Sequence, residues 1–66
     1  MTIRVNGDAQ QVADGVTLEA LLERLGVRRD GTAVALNGDV VPRAHHGATG
    51  LQEGDRLEII VAAAGG

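Results

Sequence analysis

The chain has 66 residues, the size of one small domain, and contains no Cys, Phe, Tyr or Trp. The lack of Cys excludes disulfide bonds and thiolate-bound metal centres. The formal net charge of −3 disfavours nucleic acid and anionic membrane surfaces as partners, because both attract basic proteins.

The first predicted element is a β-hairpin. Residues Thr2 to Val5 alternate polar and apolar side chains, which is typical of a strand with one buried face. The dipeptide Asn6-Gly7 follows and favours a tight turn, because both residues tolerate a positive φ angle. A weaker return strand is predicted from Ala9 to Val12.

A helix is predicted next, in the segment VTLEALLERLG at positions 16–26. Thr17 is a suitable N-cap, and Gly26 suits the left-handed conformation that ends many helices. The predicted helix therefore runs from Leu18 to Leu25, with one apolar stripe formed by leucines at i, i+3, i+4 and i+7: Leu18, Leu21, Leu22 and Leu25.

A second hairpin is predicted after the helix. The apolar run from Ala33 to Leu36 suits a strand buried inside a sheet, and Asn37-Gly38 is a second turn signal. Residues 39–41 return as a short strand. Pro42 ends that strand or places it at a sheet edge, since proline cannot donate a backbone hydrogen bond.

The last third of the chain is predicted to be an irregular segment followed by one strand. Residues 43–50 show no periodicity, and Leu51 is the single large apolar anchor near them. A turn is predicted at residues 53–55, and a strand from Arg56 to Val61. Alternation along this strand directs Ile60 away from the core. We predict that Ile60 contacts a partner, and the alternative is that a loop such as residues 43–50 covers it.

These elements indicate an α+β fold. One helix carries the only leucine stripe, so it is expected to pack across a mixed sheet of four to five strands. The prediction divides the chain into one folded domain, residues 1–61, and a flexible C-terminal tail, residues 62–66. No secretory leader or bilayer-spanning apolar run is evident, so a cytoplasmic location is expected.

No catalytic constellation is evident in the sequence. There is no Cys and no Ser, and the acidic residues are scattered singly over turns and the predicted helix surface. His45 and His46 are the only histidines, and a metal site would need further ligands. We therefore expect two surface histidines in a loop, no metal site, and a protein that is not itself an enzyme.

The tail, AAAGG at positions 62–66, offers the one credible chemistry. A terminal carboxylate becomes reactive once it is activated as an acyl-adenylate. Glycine has no Cβ, so Gly65 and Gly66 would fit a narrow channel of an activating enzyme and leave the acyl carbon open to attack. Ala62, Ala63 and Ala64 would keep the segment that approaches the channel narrow, and Ala63, Ala64 and Gly65 would contact the enzyme.

Four segments together carry a family likeness: IRVNGD at 3–8, VTLEALLERLG at 16–26, VALNGDVVPR at 34–43 and GDRLEIIVAAAGG at 54–66. They resemble the ThiS family, the sulfur carriers of thiamine (thiazole) biosynthesis, which have the ubiquitin-like β-grasp fold. The resemblance covers essentially the whole chain. One departure is His46, near a position where the family often has an aromatic residue.

The resemblance implies a carrier that binds no cofactor and acts as a co-substrate of other enzymes. An ATP-dependent activating enzyme would adenylate the Gly66 carboxylate, and a sulfur donor such as a cysteine desulfurase would convert it to a thiocarboxylate. Thiazole synthase would then take the sulfur. The free protein is expected to be a monomer.

Two alternatives remain open from the sequence. One is a sulfur carrier of another pathway, such as the small subunit of molybdopterin synthase or a carrier for cysteine biosynthesis. The other is a ubiquitin-like interaction module or protein modifier. The carriers share fold and tail, so only the choice of partner separates them.

Overall fold

The structure is a computed structural model, which describes residues 1–28 and 30–61. The predicted tail, residues 62–66, lies outside the described residues, so the boundary after residue 61 stays a prediction. The described elements, in chain order, are β1 (Thr2–Val5), β2 (Asp8–Gln11), α1 (Leu18–Leu25), β3 (Thr32–Leu36), β4 (Asp39–Val40), a 3₁₀ helix (Arg43–Ala48) and β5 (Arg56–Val61).

The strands form one five-stranded mixed sheet in the order β2-β1-β5-β3-β4. β5 lies at the centre, parallel to β1 and antiparallel to β3. The two hairpins, β1–β2 and β3–β4, therefore flank the last strand on either side. The predicted α+β fold is confirmed, with five strands.

Both predicted hairpin turns are confirmed, and for the expected reason. Asn6 and Gly7 have φ angles of 51° and 88°, and Asn37 and Gly38 have 52° and 91°. Asn and Gly tolerate this left-handed backbone at the lowest cost, which is why the pair marks such turns.

Helix α1 has the predicted bounds and caps. The Thr17 hydroxyl accepts a hydrogen bond from the Ala20 backbone N–H at 3.2 Å, and Gly26 ends the helix at a φ of 72°. Three of the four leucines are buried, whereas Leu25 is 38% exposed. The predicted stripe is therefore wrong at its last position, where the helix reaches the edge of the core.

The core lies between α1 and one face of the sheet. Strands β1, β3 and β5 contribute Ile3, Val34 and Leu57, each at most 1% exposed. Among residues 1–28 and 30–61, α1 is the one α-helix, and the 3₁₀ helix packs against it, so neither covers the opposite face of the sheet. The buried apolar residues are Ile3, Val5, Val12, Leu18, Leu21, Leu22, Val34, Leu51 and Leu57.

Three further predictions are corrected. β3 forms hydrogen bonds on both sides but is not buried on both faces, because Val34 and Leu36 pack on the core whereas Ala33, on the other face, is exposed. The segment predicted to be irregular forms the 3₁₀ helix, which packs against α1. His46 within it is buried rather than at the surface. Leu51, the predicted anchor of this region, is buried as expected.

Candidate functional site

The candidate site is the end of β5, the strand that leads into the predicted tail. β5 ends at Val61, and its last two residues pair with β3 through Ile60↔Ala33 and Val61↔Thr32. The predicted site residues Ala63, Ala64, Gly65 and Gly66 lie outside the described residues, so their roles stay predictions.

Ile60 lies on the face of the sheet opposite α1. Its neighbour Ile59 pairs with buried Val34, and alternation along the strands then places Ile60 and Ala33 on the other face. Ile60 is 58% exposed. The 3₁₀ helix packs against α1, on the core side, and leaves Ile60 uncovered. Of the two alternatives, exposure is therefore correct and cover by residues 43–50 is wrong, whereas a partner for Ile60 stays a prediction.

Other small and apolar side chains share this face with Ile60. Ala35 pairs with Val40 across the β3–β4 hairpin, and alternation places both on the side away from Val34. Val40 is 72% exposed and Ala35 is half-buried. We call the four residues Ala33, Ala35, Val40 and Ile60 the outer-face patch. Only Ile60 was predicted, because the strand register that assembles the patch is not readable from local sequence.

The other half of the same face is charged. Arg4 of β1 and Arg56 of β5 are partners in the parallel pairing, and both are exposed. Arg4 Nη1 donates a hydrogen bond to the Gly7 carbonyl oxygen at 3.1 Å. Glu58 lies two residues further along β5 on this face. The outer face therefore combines an apolar patch with three adjoining charged residues, Arg4, Arg56 and Glu58, of which Glu58 pairs with Ala35 of the patch.

His46 lies away from this face, in the 3₁₀ helix. It is 5% exposed, and its Nε2 lies 3.1 Å from the Val41 carbonyl oxygen. Its Nδ1 is buried and has no hydrogen-bond partner among the described residues. His45, by contrast, is exposed. The two adjacent histidines therefore occupy different environments.

No group of three or more His, Cys, Asp or Glu side chains suited to a metal ion occurs within residues 1–28 and 30–61. Over the same residues, the helices are too short and too polar to cross a bilayer.

Comparison with known proteins extends these observations. The model of the ThiS family matches residues 3–66. The sulfur carrier protein ThiS of Escherichia coli (strain K12) is 39% identical over 66 residues, and the alignment covers 100% of both chains. The crystal structure of a thiamine biosynthesis protein (ThiS) from Geobacter metallireducens superposes with a TM-score of 0.86, at 33% identity and full coverage of both chains.

Two further relatives are much longer than this chain. They are named thiazole synthase and come from Paramagnetospirillum magneticum and Magnetococcus marinus, with 35% and 41% identity over 66 residues. The chain spans about a fifth of their length, since the match covers 20% of each.

The sheet order and the packing of α1 across the sheet define a domain of the ubiquitin-like β-grasp class, as in the Geobacter structure. Within that class, the chain belongs to the ThiS family. The resemblance inferred from the sequence is confirmed.

Proposed function

We propose that this protein is the sulfur carrier of thiamine thiazole biosynthesis. The observation that carries the proposal is the match to the Escherichia coli sulfur carrier, which extends over the full length of both chains. The protein serves as a co-substrate, and its partners supply the catalytic groups. It binds no cofactor of its own.

The proposed chemistry takes place at Gly66. Its carboxylate oxygen attacks the α-phosphorus of ATP in the activating enzyme, which forms the acyl-adenylate and releases pyrophosphate. A persulfide of the partner, charged by a sulfur donor such as a cysteine desulfurase, then displaces AMP from the acyl carbon and gives an acyl disulfide. A second thiol attacks the partner's sulfur in this bond, which leaves a disulfide with the partner and releases the thiocarboxylate that thiazole synthase consumes. Because activation uses ATP, we propose that the protein works in the cytoplasm.

The small residues before Gly66 allow the tail to reach the active site of the activating enzyme. Gly65, Ala64 and Ala63 have no side chain beyond a methyl group, so the tail can enter a channel that excludes larger residues. β5 leads directly into this segment from the centre of the sheet. The partner binds the folded domain, and the tail places the acyl carbon of Gly66 in the active site of the partner.

The outer-face patch is the proposed docking surface for the activating enzyme. Ile60 is exposed, apolar and close in sequence to the tail. Contacts here bring the activating enzyme to the strand from which the tail departs. Arg4 and Arg56 on the same face suit acidic groups of the partner. We expect the free protein to be a monomer.

Thiazole synthase is the proposed acceptor of the sulfur. The support is that two relatives carrying this name contain a stretch similar to the entire chain. The likeness indicates that a domain of this family and a thiazole synthase function together.

Pyrophosphate release tests the activation step. The protein is mixed with ATP and a thiazole-type activating enzyme, and a variant lacking Gly66 is the control. We expect pyrophosphate release with the full chain and none with the control.

A second experiment tests the sulfur acceptor. Thiocarboxylated protein is given to thiazole synthase and, separately, to a molybdopterin-synthase large subunit. Sulfur transfer only to the second acceptor would contradict the assignment to thiamine biosynthesis.

A further inference from the structure

The pairing between β1 and β5 stops before β5 ends. The Arg4 backbone N–H donates to the Asp55 carbonyl oxygen at 2.9 Å, and the Asn6 N–H donates to the Leu57 carbonyl oxygen at 2.8 Å. In a parallel pair such bonds recur every second residue, so the next one belongs at Ile59. The β1 backbone cannot supply it, because the chain turns away at Asn6 with a φ of 51°.

The side chain of Asn6 supplies the missing bonds. Its Oδ1 accepts from the Ile59 backbone N–H at 2.8 Å, and its Nδ2 donates to the Ile59 carbonyl oxygen at 3.4 Å. A carboxamide carries the same donor and acceptor as a peptide group. Asn6 therefore extends the ladder along β5 by one step after its own strand has ended.

The equivalent asparagine of the second hairpin binds the opposite end of β5. Asn37 has nearly the same φ, 52°, and its Oδ1 accepts from the Arg56 N–H at 2.9 Å. Its Nδ2 donates to Asp55 Oδ1 at 3.0 Å. Asn37 thus fixes the start of the strand, whereas Asn6 fixes the part just before Ile60.

We propose that Asn6 is a positioning residue for sulfur-carrier activation: its carboxamide holds β5 at Ile59, so that Ile60 is presented to the activating enzyme in one arrangement. The proposal rests on the proposed function for its consequence, but not for the anchoring itself. An asparagine before glycine is explained by the turn alone, so the sequence gives no separate signal for this role.

The loss of Asn6 should act on the encounter with the activating enzyme rather than on the chemical step. When β5 is less often in the competent arrangement, the apparent affinity falls by the populated fraction. At saturating carrier the complex is fully assembled, and the turnover rate returns to normal. We therefore expect a higher KM for the carrier and an unchanged kcat.

Asn6→Gly and Asn37→Gly form a matched pair for the test. Glycine keeps the positive φ without strain, so each variant removes a side-chain carboxamide while the turn is retained. Asn6→Asp is a third variant, which keeps the acceptor for the Ile59 N–H and loses the donor. Folding of all three is checked by urea denaturation.

The first measurement is amide hydrogen exchange, followed residue by residue by NMR. We expect the Ile59 N–H to exchange about tenfold faster in Asn6→Gly, because one hydrogen bond that protects it is lost. The exchange rate of this amide should be unchanged in Asn37→Gly and only slightly raised in Asn6→Asp. Equal exchange at Ile59 in wild type and Asn6→Gly would overturn the anchoring, whatever the function of the protein.

The second measurement is the KM of the carrier in the adenylation reaction. For Asn6→Gly we expect the KM to increase by about tenfold at unchanged kcat, because β5 is no longer held in one arrangement at Ile59. For Asn37→Gly we expect the KM to increase by less than about twofold. Equal increases in the two glycine variants, or a normal KM despite faster exchange at Ile59, would overturn the positioning role. Failure of the wild-type protein to be adenylated would instead contradict the proposed function.

Discussion

Ile60 and Ala33 are partners across β5 and β3, and both side chains lie on the sheet face that α1 does not cover. We expect Ile60→Asp to fold normally, because the side chain is more than half exposed. The KM of the carrier for the activating enzyme should rise by about tenfold or more, since apolar anchors at the centre of an interface contribute most of its affinity.

Ala20→Asp is the matched control for that variant. Ala20 is exposed on α1, which packs against the opposite face of the sheet. It introduces the same carboxylate away from the outer-face patch and from Arg4 and Arg56. Steady-state adenylation should be nearly normal for this control. Equal KM values for the two variants would show that Ile60 does not contribute to binding of the activating enzyme.

The cap of α1 gives a prediction on stability. Thr17→Ala removes the acceptor for the Ala20 N–H and should lower the free energy of unfolding by about 1 kcal/mol. Thr17→Ser keeps a hydroxyl at the cap and should recover most of that loss. Urea denaturation followed by circular dichroism measures both. If the serine variant were as unstable as the alanine variant, the hydroxyl would not be the stabilising group.

Buried His46 gives a second prediction on stability. His46→Ala leaves a void between the 3₁₀ helix and the core and should cost about 2 kcal/mol. His46→Phe fills the site and removes the nitrogen that has no partner among the described residues. The packing of the phenyl ring and the removal of this nitrogen offset the lost contact with the Val41 carbonyl oxygen. The free energy of unfolding should therefore stay within about 1 kcal/mol of wild type.

Chemical denaturation of the two His46 variants, with His45→Ala as an exposed control, separates these effects. The control should unfold like the wild type. A phenylalanine variant as unstable as the alanine variant would show that the contact between Nε2 and Val41 outweighs the packing.

The elements of the fold were predictable where a local rule determines them. Thr17 and Gly26 bound the helix through capping, and the Asn-Gly turns follow from backbone sterics. The 3₁₀ helix has no such signal, because its conformation depends on packing against α1. The burial of His46 also depends on this packing. Sequence patterns predict a polar side chain in an aperiodic segment to be exposed.

The site was predictable only in part. Alternation along β5 indicated that Ile60 is exposed, but the patch around it depends on which strands are neighbours and in what register. The role of Asn6 likewise depends on a residue 53 positions away in the chain. Long-range pairing of this kind is not encoded in any local pattern.

The most direct test of the central claim is the intact mass of the protein after incubation with a thiazole-type activating enzyme, ATP and a sulfide source. A sample lacking Gly66 is treated in parallel. We predict a mass gain equal to sulfur replacing one oxygen, in the full chain alone. An unchanged mass in a folded full-length sample, with other carrier-activating enzymes also tried, would contradict the account and favour an interaction module with an inert tail.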